Sequence, residues 1–575
     1  MNEDVLANAL ALRRAGKFSE AAAIYSAILR EQPKQFEALH GLGLLSYQAG
    51  QLVEAERLIG EAVSVKPDAV DALYNRGSLL AKLNRHQEAV GCFDSALAVA
   101  PDYAEARGNR GAALMVLGGY AEAFADFDRL VTLRSGSPEG WYMRGVALRR
   151  LERFGEARAS YTQALEIRSN FADALRSRAE VSLLLENFAE ALTDAEQAGA
   201  LDPKNAEAWL LRADALVQLG RRDEALASYD KAIGLKPGNL DAIYNRATNM
   251  LPLRRFNEAV QGLEEALRLN PDCPFARGSL VFGKLCESDW YNLEGEIAAV
   301  EVALGKGTPI VPFQALVLCP NEARTHEAAR RFSALKFPPL PKRLWQGEIY
   351  RHDKIRLAYL SGNFHHHAVA RLMAGIFEHH DRRRFEVTAI SFGPDDNSAM
   401  RMRMNRAFDC FMDVRGETVE RTAHRLRDME IDIVVDLMGY TEDCRPAILP
   451  HRPAPVQVNY LGYPGTMGAE YIDYIIADET VIPADRSAHY SERIVRLPQS
   501  YLPGGGARAI AETIPSRAGA GLPEDGFVFC CFHHVYKIMP PMFDLWMSLL
   551  HQVEGSVLWL SQTSPNAAAN LRREA

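Results

Sequence analysis

The sequence predicts an α-helical solenoid built from two-helix repeats, followed by an α/β region with a parallel sheet. In the first half of the chain, a Glu-Ala dipeptide recurs at eight successive positions that are each 34 residues apart. From about residue 354 onward, short apolar runs alternate with amphipathic segments, which is typical of strands that alternate with helices. The chain has 575 residues, too many for one hydrophobic core, so we expect several domains.

The repeats run from Glu20-Ala21 to Glu258-Ala259 without an insertion. A 34-residue period of two antiparallel helices is that of the tetratricopeptide repeat. The small alanine lets the two helices of a unit approach closely, and turn segments such as GKF, GQL and GRR join them. Because one unit cannot bury its apolar face alone, residues 1–280 are predicted to form a superhelix of about eight stacked repeats.

Two polar rows follow the repeat period on the first helix of each unit. Asparagine suits the binding of an extended peptide on the concave surface, because its amide offers both a donor and an acceptor. For the arginines, the alternative is that they only pair with acidic neighbours or cover contacts between units. The asparagines are Asn75, Asn109 and Asn245, and the arginines are Arg76, Arg110, Arg144, Arg178, Arg212 and Arg246.

Residues 281–350 are predicted to be a helical linker. The run SDWYNLEGEIAAVEVALGKG indicates one more helix, and the proline-rich stretch KFPPLPKRLW follows it. Prolines this dense end helices and indicate a domain junction.

Beyond residue 350 the sequence predicts a doubly wound parallel sheet. The strands are predicted at KIRLAYLS, FEVTAISFG, IDIVVDLMG, VQVNYLG, YIDYIIAD and GFVFCCF, and helices at the stretch through LMAGIFEHH and at ETVERTAHRLRDM. Ligands of such sheets bind beyond the carboxyl ends of the strands. The loops that follow the strands are therefore the places to look for chemistry.

Three of these loops carry polar or glycine-rich sequence. The first contains His365, His366 and His367; three adjacent side chains diverge, so a metal site is not favoured. The second region contains Tyr440 and Thr441 and then the Gly-Tyr-Pro-Gly run at 462–465, which suits close approach to a phosphate or sugar or forms a simple turn. The third contains Lys537, either a cation for a diphosphate or a solvated surface lysine.

Composition excludes some classes of function. The net charge of -9 and the pI near 6.0 provide no electrostatic footprint for nucleic acid. Eight cysteines without a CxxC pair indicate reduced thiols, and the N-terminus has neither a leader pattern nor a membrane-length apolar stretch. We therefore expect a cytoplasmic protein without membrane or nucleic-acid partners.

The run RPAPVQVNYLGYPGTMGAEYIDYIIAD at 452–478 closely resembles the signature of the O-linked N-acetylglucosamine transferases. NFHHHAVARL, GYT, LPEDGFVFCCFHHVYKI and SVLWL also match, in the order of that family, which places tetratricopeptide repeats in front. The resemblance implies inverting transfer of N-acetylglucosamine (GlcNAc) from UDP-GlcNAc to Ser or Thr of intracellular proteins, on a two-lobed GT-B fold without a metal or other cofactor. The acceptor proteins would bind in the concave repeat surface, and a homodimer is left open.

The resemblance also implies roles for individual residues. His367 and Lys537 would be catalytic, with Lys537 neutralising the departing diphosphate. The donor sugar nucleotide would contact His534 and a set of loop residues: Leu461, Gly462, Pro464, Tyr440 and Thr441.

The resemblance divides the second half of the chain into two lobes. It implies a Rossmann-like N-terminal catalytic lobe at 351–505 and, at 506–575, the start of a UDP-binding C-terminal lobe that is truncated, because the chain ends soon after SVLWL. The alternative function is a non-catalytic protein-binding scaffold.

Overall fold

The computed structural model of the chain describes residues 2–504, 513–561 and 564–575. These residues form two compact units, one over residues 1–237 and the other over residues 238–575. None of the helices in these ranges is long and apolar enough to span a membrane.

The first unit is a row of helix pairs in which consecutive helices pack against each other. The helices are α1 (Asn2–Arg14), α2 (Phe18–Glu31), α3 (Phe36–Gln48), α4 (Leu52–Val65), α5 (Val70–Lys82), α6 (His86–Val99), α7 (Ala104–Leu117), α8 (Tyr120–Leu133), α9 (Pro138–Arg150), α10 (Phe154–Ile167), α11 (Ala172–Leu184), α12 (Phe188–Leu201), α13 (Ala206–Gln218) and α14 (Arg222–Leu235). Their bounds follow the 34-residue period, and the predicted solenoid is confirmed.

The alanine of the repeated dipeptide lies where two helices touch. These alanines are completely buried throughout the first unit: Ala21, Ala55, Ala89, Ala123, Ala157, Ala191 and Ala225. A larger side chain there would push the helices apart, because protein interiors are close-packed. The predicted turn glycines Gly16, Gly50 and Gly220 adopt φ values of +73°, +77° and +75°, which favour glycine.

The second unit begins with helices. They are α15 (Leu240–Met250), α16 (Phe256–Leu269), α17 (Ala276–Cys286), α18 (Leu293–Lys306), α19 (Pro312–Leu318) and α20 (Glu322–Lys336). Helices α17–α20 share a core in which Leu285, Val300, Leu304 and Ala315 are buried.

A seven-stranded parallel sheet follows. Its strands and helices are β1 (Ile355–Ser361), α21 (Ala368–His379), β2 (Phe385–Ser391), α22 (Ala399–Ala407), β3 (Cys410–Asp413), α23 (Val419–Asp428), β4 (Ile433–Asp436), β5 (Val456–Tyr460), β6 (Tyr474–Ala477) and β7 (Arg493–Arg496). The strand order is β3-β2-β1-β4-β5-β6-β7, with every pair parallel. Alternate residues of β1 enter two separate cores, Leu357 and Tyr359 one of them and Ala358 and Leu360 the other. Both faces are therefore covered, as near-continuous apolar strands predict.

The last described elements form a smaller parallel pair of strands with two helices. They are β8 (Val528–Cys531), α24 (Pro540–Gln552), β9 (Val557–Leu560) and α25 (Pro565–Glu574). They pack on the helices at the start of this unit: Trp290 contacts Phe543, and the Ser564 hydroxyl donates to the buried Glu287 carboxylate at 2.6 Å.

The sequence patterns located the α/β fold but missed several elements. Strands β3 and β7 have only four residues each, with mostly exposed or half-buried side chains, so no period of two is visible. Helix α17 crosses the predicted boundary at residue 280, and helices α19 and α20 lie inside the predicted linker. The predicted domain boundaries near residues 280 and 350 stay predictions, and the boundary at 505/506 lies outside the described residues.

Candidate active site

The strand order changes direction at the centre of the sheet. β1 and β4 are neighbours, and the chain winds outward from them to opposite edges. In doubly wound sheets, ligands bind beyond the carboxyl ends of the strands at such a change of direction. The loops after β1, β4 and β5 carry most of the predicted site residues: His367, Tyr440, Thr441, Leu461, Gly462 and Pro464. The fold thus brings these loops to one edge of the sheet.

His367 caps the N-terminus of α21. Its Nδ1 accepts a hydrogen bond from the backbone N–H of Val369 at 3.2 Å. Partial burial, and then the nearby His365, lower the pKa of His367 below its ordinary value of 6.5. The imidazole is therefore neutral at physiological pH. Because Nδ1 accepts a hydrogen bond, its single ring proton lies on Nε2.

The loop around His367 is fixed by an aspartate from the neighbouring loop after β2. Asp396 Oδ2 accepts a hydrogen bond from the His366 backbone N–H at 2.9 Å and lies 3.8 Å from His365 Nδ1. Hydrogen bonds from Ser398 and from this amide lower the pKa of Asp396 to about 2. The carboxylate is thus ionised at any physiological pH and anchors the loop.

Tyr440 and Thr441 follow β4, but their hydroxyls bind the protein itself. Tyr440 is buried and donates to the Met467 carbonyl at 2.8 Å, while the Thr441 hydroxyl donates to the Met438 carbonyl at 2.9 Å. The buried Asp436 at the end of β4 accepts from two backbone amides of this turn, and burial raises its pKa to about 6. Tyr440 therefore links this turn to the loop after β5.

The loop after β5, residues 461–468, holds Leu461, Gly462 and Pro464. Leu461 is buried with a φ of +72°, an uncommon conformation for a side chain of this size. The Pro464 carbonyl accepts from the Tyr490 hydroxyl at 3.3 Å, and Asn459 Nδ2 donates to the Tyr463 carbonyl at 3.0 Å. The conformation of the 461–468 loop is thus fixed by side chains outside it.

We expect substitution of Gly462 by alanine to lower the free energy of unfolding by about 2 kcal/mol, a typical cost of overpacking. A Cβ atom there would lie 2.1 Å from the Leu437 carbonyl oxygen, so the backbone would have to move. Thermal unfolding followed by circular dichroism measures the effect. Gly375→Ala is the matched control, because a Cβ on this helical glycine meets no atom within 4 Å. It should not destabilise, and equal losses for the two variants would contradict the prediction.

Lys537 and His534 lie away from these loops in sequence, in the turn that follows β8. Lys537 is exposed, with its ammonium 5.9 Å from the Tyr536 ring centroid. His534 stacks on Tyr536 at 5.6 Å, and burial, then Lys537, lower the pKa of His534. Tyr536 itself packs on Phe282 at 5.2 Å and on Phe313 at 6.1 Å. The turn carrying Lys537 is therefore held by α17 and α19.

Two residues of the asparagine row contact the first helix of the preceding repeat. Asn75 Nδ2 lies 3.0 Å from His40 Nε2, and Asn109 Nδ2 donates to the Tyr74 and Ser78 hydroxyls at 3.2 and 3.1 Å. Each contact joins the first helices of two consecutive repeats. Asn245 lies in the other unit, on α15.

The arginine row is paired internally. Arg178 binds Asp194 through two nitrogens, at 2.7 and 2.8 Å, and Thr162 at 3.1 Å; these partners lie 16 residues after and before it. Arg110 likewise binds Asp126 and Asp94, again 16 residues away on either side. Each arginine thus joins the second helix of its own repeat to that of the preceding one. This pairing is the alternative that the sequence left open.

Sequence reasoning missed three groups around the site. Asp436 could have been noticed as an acid at the end of an apolar strand. The Phe282–Phe313 pair carries no sequence signal, because its partner Tyr536 is distant along the chain, and the sequence around Glu492 gives no sign that this residue is buried. Within residues 2–504, 513–561 and 564–575, no three His, Cys, Asp or Glu side chains are arranged to hold a metal ion.

Comparison with known proteins gives two kinds of family match. The glycosyl transferase family 41 model matches residues 340–512 and 505–575. Tetratricopeptide repeat models match residues 12–83, 74–138, 138–171 and 185–239. These matches lie in both halves of the chain and leave residues 172–184 and 240–339 between them unmatched.

Individual relatives are similar over part of their length. The chain is 36% identical to the Arabidopsis thaliana protein SEC, a probable UDP-N-acetylglucosamine–peptide N-acetylglucosaminyltransferase, over 36% of this chain and 22% of that protein. It is 23% identical to the Caenorhabditis elegans UDP-N-acetylglucosamine–peptide N-acetylglucosaminyltransferase, over 38% of this chain and 29% of that protein. The matched region thus spans less than a third of either relative.

Among solved structures, a mutant O-GlcNAc transferase of Thermobaculum terrenum is 22% identical with a TM-score of 0.40, covering 76% of this chain and 71% of that one. The family models show that the chain is similar to tetratricopeptide repeat proteins in its first half and to glycosyl transferase family 41 over residues 340–575.

Proposed function

We propose that this polypeptide transfers GlcNAc from UDP-GlcNAc to Ser or Thr hydroxyls of proteins, with inversion at the sugar carbon. The observation that carries the proposal is the convergence of three loops of the family 41 region at the carboxyl ends of β1, β4 and β5. The names of the relatives support the donor and the acceptor class. No metal is needed in this scheme.

The chemistry requires stabilisation of charge on the leaving group. The acceptor hydroxyl attacks the anomeric carbon from the face opposite UDP, and negative charge develops on the departing diphosphate. Lys537 supplies a compact positive charge for it, and preorganised cations of this kind act most strongly away from bulk water. His534, Leu461, Gly462 and Pro464 would contact the donor. Tyr440 would stabilise the loop after β5, since its hydroxyl donates a hydrogen bond to the Met467 carbonyl.

His367 is proposed to act as a hydrogen-bond donor and not as a base. Its Nδ1 lone pair is occupied by the Val369 amide, which leaves Nε2–H to face a ligand oxygen. A base role would require the proton on Nδ1, and then two donors would face each other at the start of α21. The donor role therefore agrees with the cap geometry.

We expect transfer to be constant above pH 6.5 and to fall as the pH drops toward the lowered pKa of His367. Protonation of Nδ1 breaks the cap, because both partners are then donors. The folded state disfavours the protonated form, so His367 also destabilises the fold progressively below pH 6.5. Initial rates at saturating donor between pH 5 and 8 measure the effect. In His367→Gln, the fall of the transfer rate at low pH should disappear. An unchanged fall would show that another group causes it.

The repeats are proposed to hold the acceptor protein in their concave surface, with Asn75, Asn109 and Asn245 toward its backbone. Binding far from the reacting atoms would raise the local acceptor concentration. A cytoplasmic location fits this role.

The proposal is tested by calorimetric titration with UDP and by mass spectrometry of peptide libraries incubated with UDP-GlcNAc. Saturable UDP binding and a mass gain of one GlcNAc on Ser or Thr are expected. If neither occurs while circular dichroism shows folded helices, the transferase proposal fails for this polypeptide and the scaffold alternative gains support.

A further inference from the structure

A buried carboxylate holds the 461–468 loop. Glu492 is only 4% exposed, and its two oxygens accept from two consecutive residues of that loop: Oε2 from the Thr466 hydroxyl at 2.7 Å and Oε1 from the Met467 amide at 2.6 Å. Both partners are uncharged. Burial raises the pKa of Glu492, and these hydrogen bonds oppose the rise. Burial of a carboxylate costs free energy of folding unless its oxygens accept hydrogen bonds.

The Thr466 hydroxyl can donate its proton only to Glu492. Its oxygen already accepts from the Gly468 amide at 3.1 Å and from the Ser491 amide at 3.2 Å. A hydroxyl offers one donor and two acceptor positions, so its proton must go to an acceptor, which is Glu492. An amide in place of the carboxylate would turn an N–H group toward one of the two donors. Only a carboxylate satisfies both.

The same loop carries three of the other candidate residues. Leu461, Gly462 and Pro464 precede Thr466 within the loop, and Tyr490, two residues before Glu492, donates to the Pro464 carbonyl. The segment 490–492 thus contacts the loop at three successive places. Beyond it, Gly468 lies against the α20 backbone, where a Cβ would come within 2.4 Å of the Arg330 nitrogen. The loop therefore cannot shift without breaking the Glu492 contacts.

We propose that Glu492 is a positioning residue that sets the conformation of the 461–468 loop for the sugar of the donor, and so decides discrimination between UDP-GlcNAc and UDP. The inference rests on the proposed function. Glu492 does not touch the donor; it acts through Thr466 and Met467. Without Glu492 the 461–468 loop relaxes to relieve its unpaired donors, and binding of the donor sugar must restore the original conformation, which lowers the affinity by a factor of about ten to a hundred.

The test compares the affinities of the full chain for UDP-GlcNAc and for UDP by calorimetry. Glu492→Gln should weaken UDP-GlcNAc binding about tenfold or more and leave UDP binding nearly unchanged. Thr466→Val, which removes the hydroxyl at constant shape, should give the same selective loss. The double variant should lose less than the sum of the two single losses, because either change alone already breaks the hydrogen bond between Thr466 and Glu492.

Glu479→Gln is the matched control, because Glu479 is an exposed carboxylate paired with Arg496 at 3.2 Å. It should bind both ligands as the parent does. Equal weakening of both ligands, no weakening, or loss of the fold in both single variants would overturn the positioning role. If the parent chain binds neither UDP nor UDP-GlcNAc, the proposed function itself fails, which is a different result.

Discussion

Replacement of Lys537 by alanine is expected to lower the rate of GlcNAc transfer by about a hundredfold to a thousandfold, the usual cost of removing one preorganised electrostatic group. The lysine is exposed, while its turn is held by Tyr536 packing on Phe282 and Phe313. The backbone position is therefore fixed while the ammonium is free to meet a diphosphate. UDP affinity should fall together with the rate.

Single-turnover rates and calorimetric titration with UDP measure the two effects. Lys354→Ala is the control, because Lys354 is also exposed and directly precedes β1. Lys537→Arg keeps the charge and should retain part of the UDP affinity. A rate and an affinity for Lys537→Ala that equal those of Lys354→Ala would exclude Lys537 from the site.

Replacement of Arg178 by alanine is expected to destabilise the repeat array by about 3 kcal/mol, because it leaves a buried charge without its partner. Asp194 has 2% of its side chain exposed, and its two oxygens bind two Arg178 nitrogens. Burial raises the pKa of Asp194 and the guanidinium opposes that rise, so removal of Arg178 leaves only the desolvation cost. Urea unfolding and hydrogen exchange of α11 and α12 measure the loss.

Arg57→Ala is the matched control for this prediction. Arg57 also binds two carboxylates, those of Glu54 and Glu61, but it is 53% exposed, so its loss should cost less than about 0.5 kcal/mol. A comparable cost for the two variants would show that burial of the pair is not what matters. If Arg178→Ala instead abolishes peptide binding without lowering the free energy of unfolding, the arginine row would be part of the peptide-binding surface.

The repeat architecture could be predicted from the sequence because it depends on the spacing of residues that are close together in the chain. A fixed period places the same small alanine at every helix contact, and no long-range information is needed. The strands β1, β4 and β5 were readable for a similar reason, since a strand buried on both faces is an apolar run. The candidate site loops could then be located simply as the residues that follow those strands.

The contacts that hold the candidate site loops in place could not be predicted from the sequence, because they join residues that are far apart in the chain. The Phe282–Tyr536 contact joins positions more than 250 residues apart, and nothing near either residue indicates the other. The Glu492 bonds to Thr466 and Met467 are closer in sequence, yet the pattern YSERIV gives no sign that its glutamate is buried. The His367 tautomer also required the backbone at the start of α21.

The packing of α17 and α19 on the Tyr536 turn, and of α20 on Gly468, has a practical consequence for module exchange. These helices therefore belong to the same structural unit as the sheet, although the sequence analysis predicted a linker for most of this region. A chimera that transplants a foreign repeat array should be joined upstream, near the boundary at residues 237 and 238. A junction placed in the proline-rich stretch after α20 would strip the sheet of the helices that hold its loops.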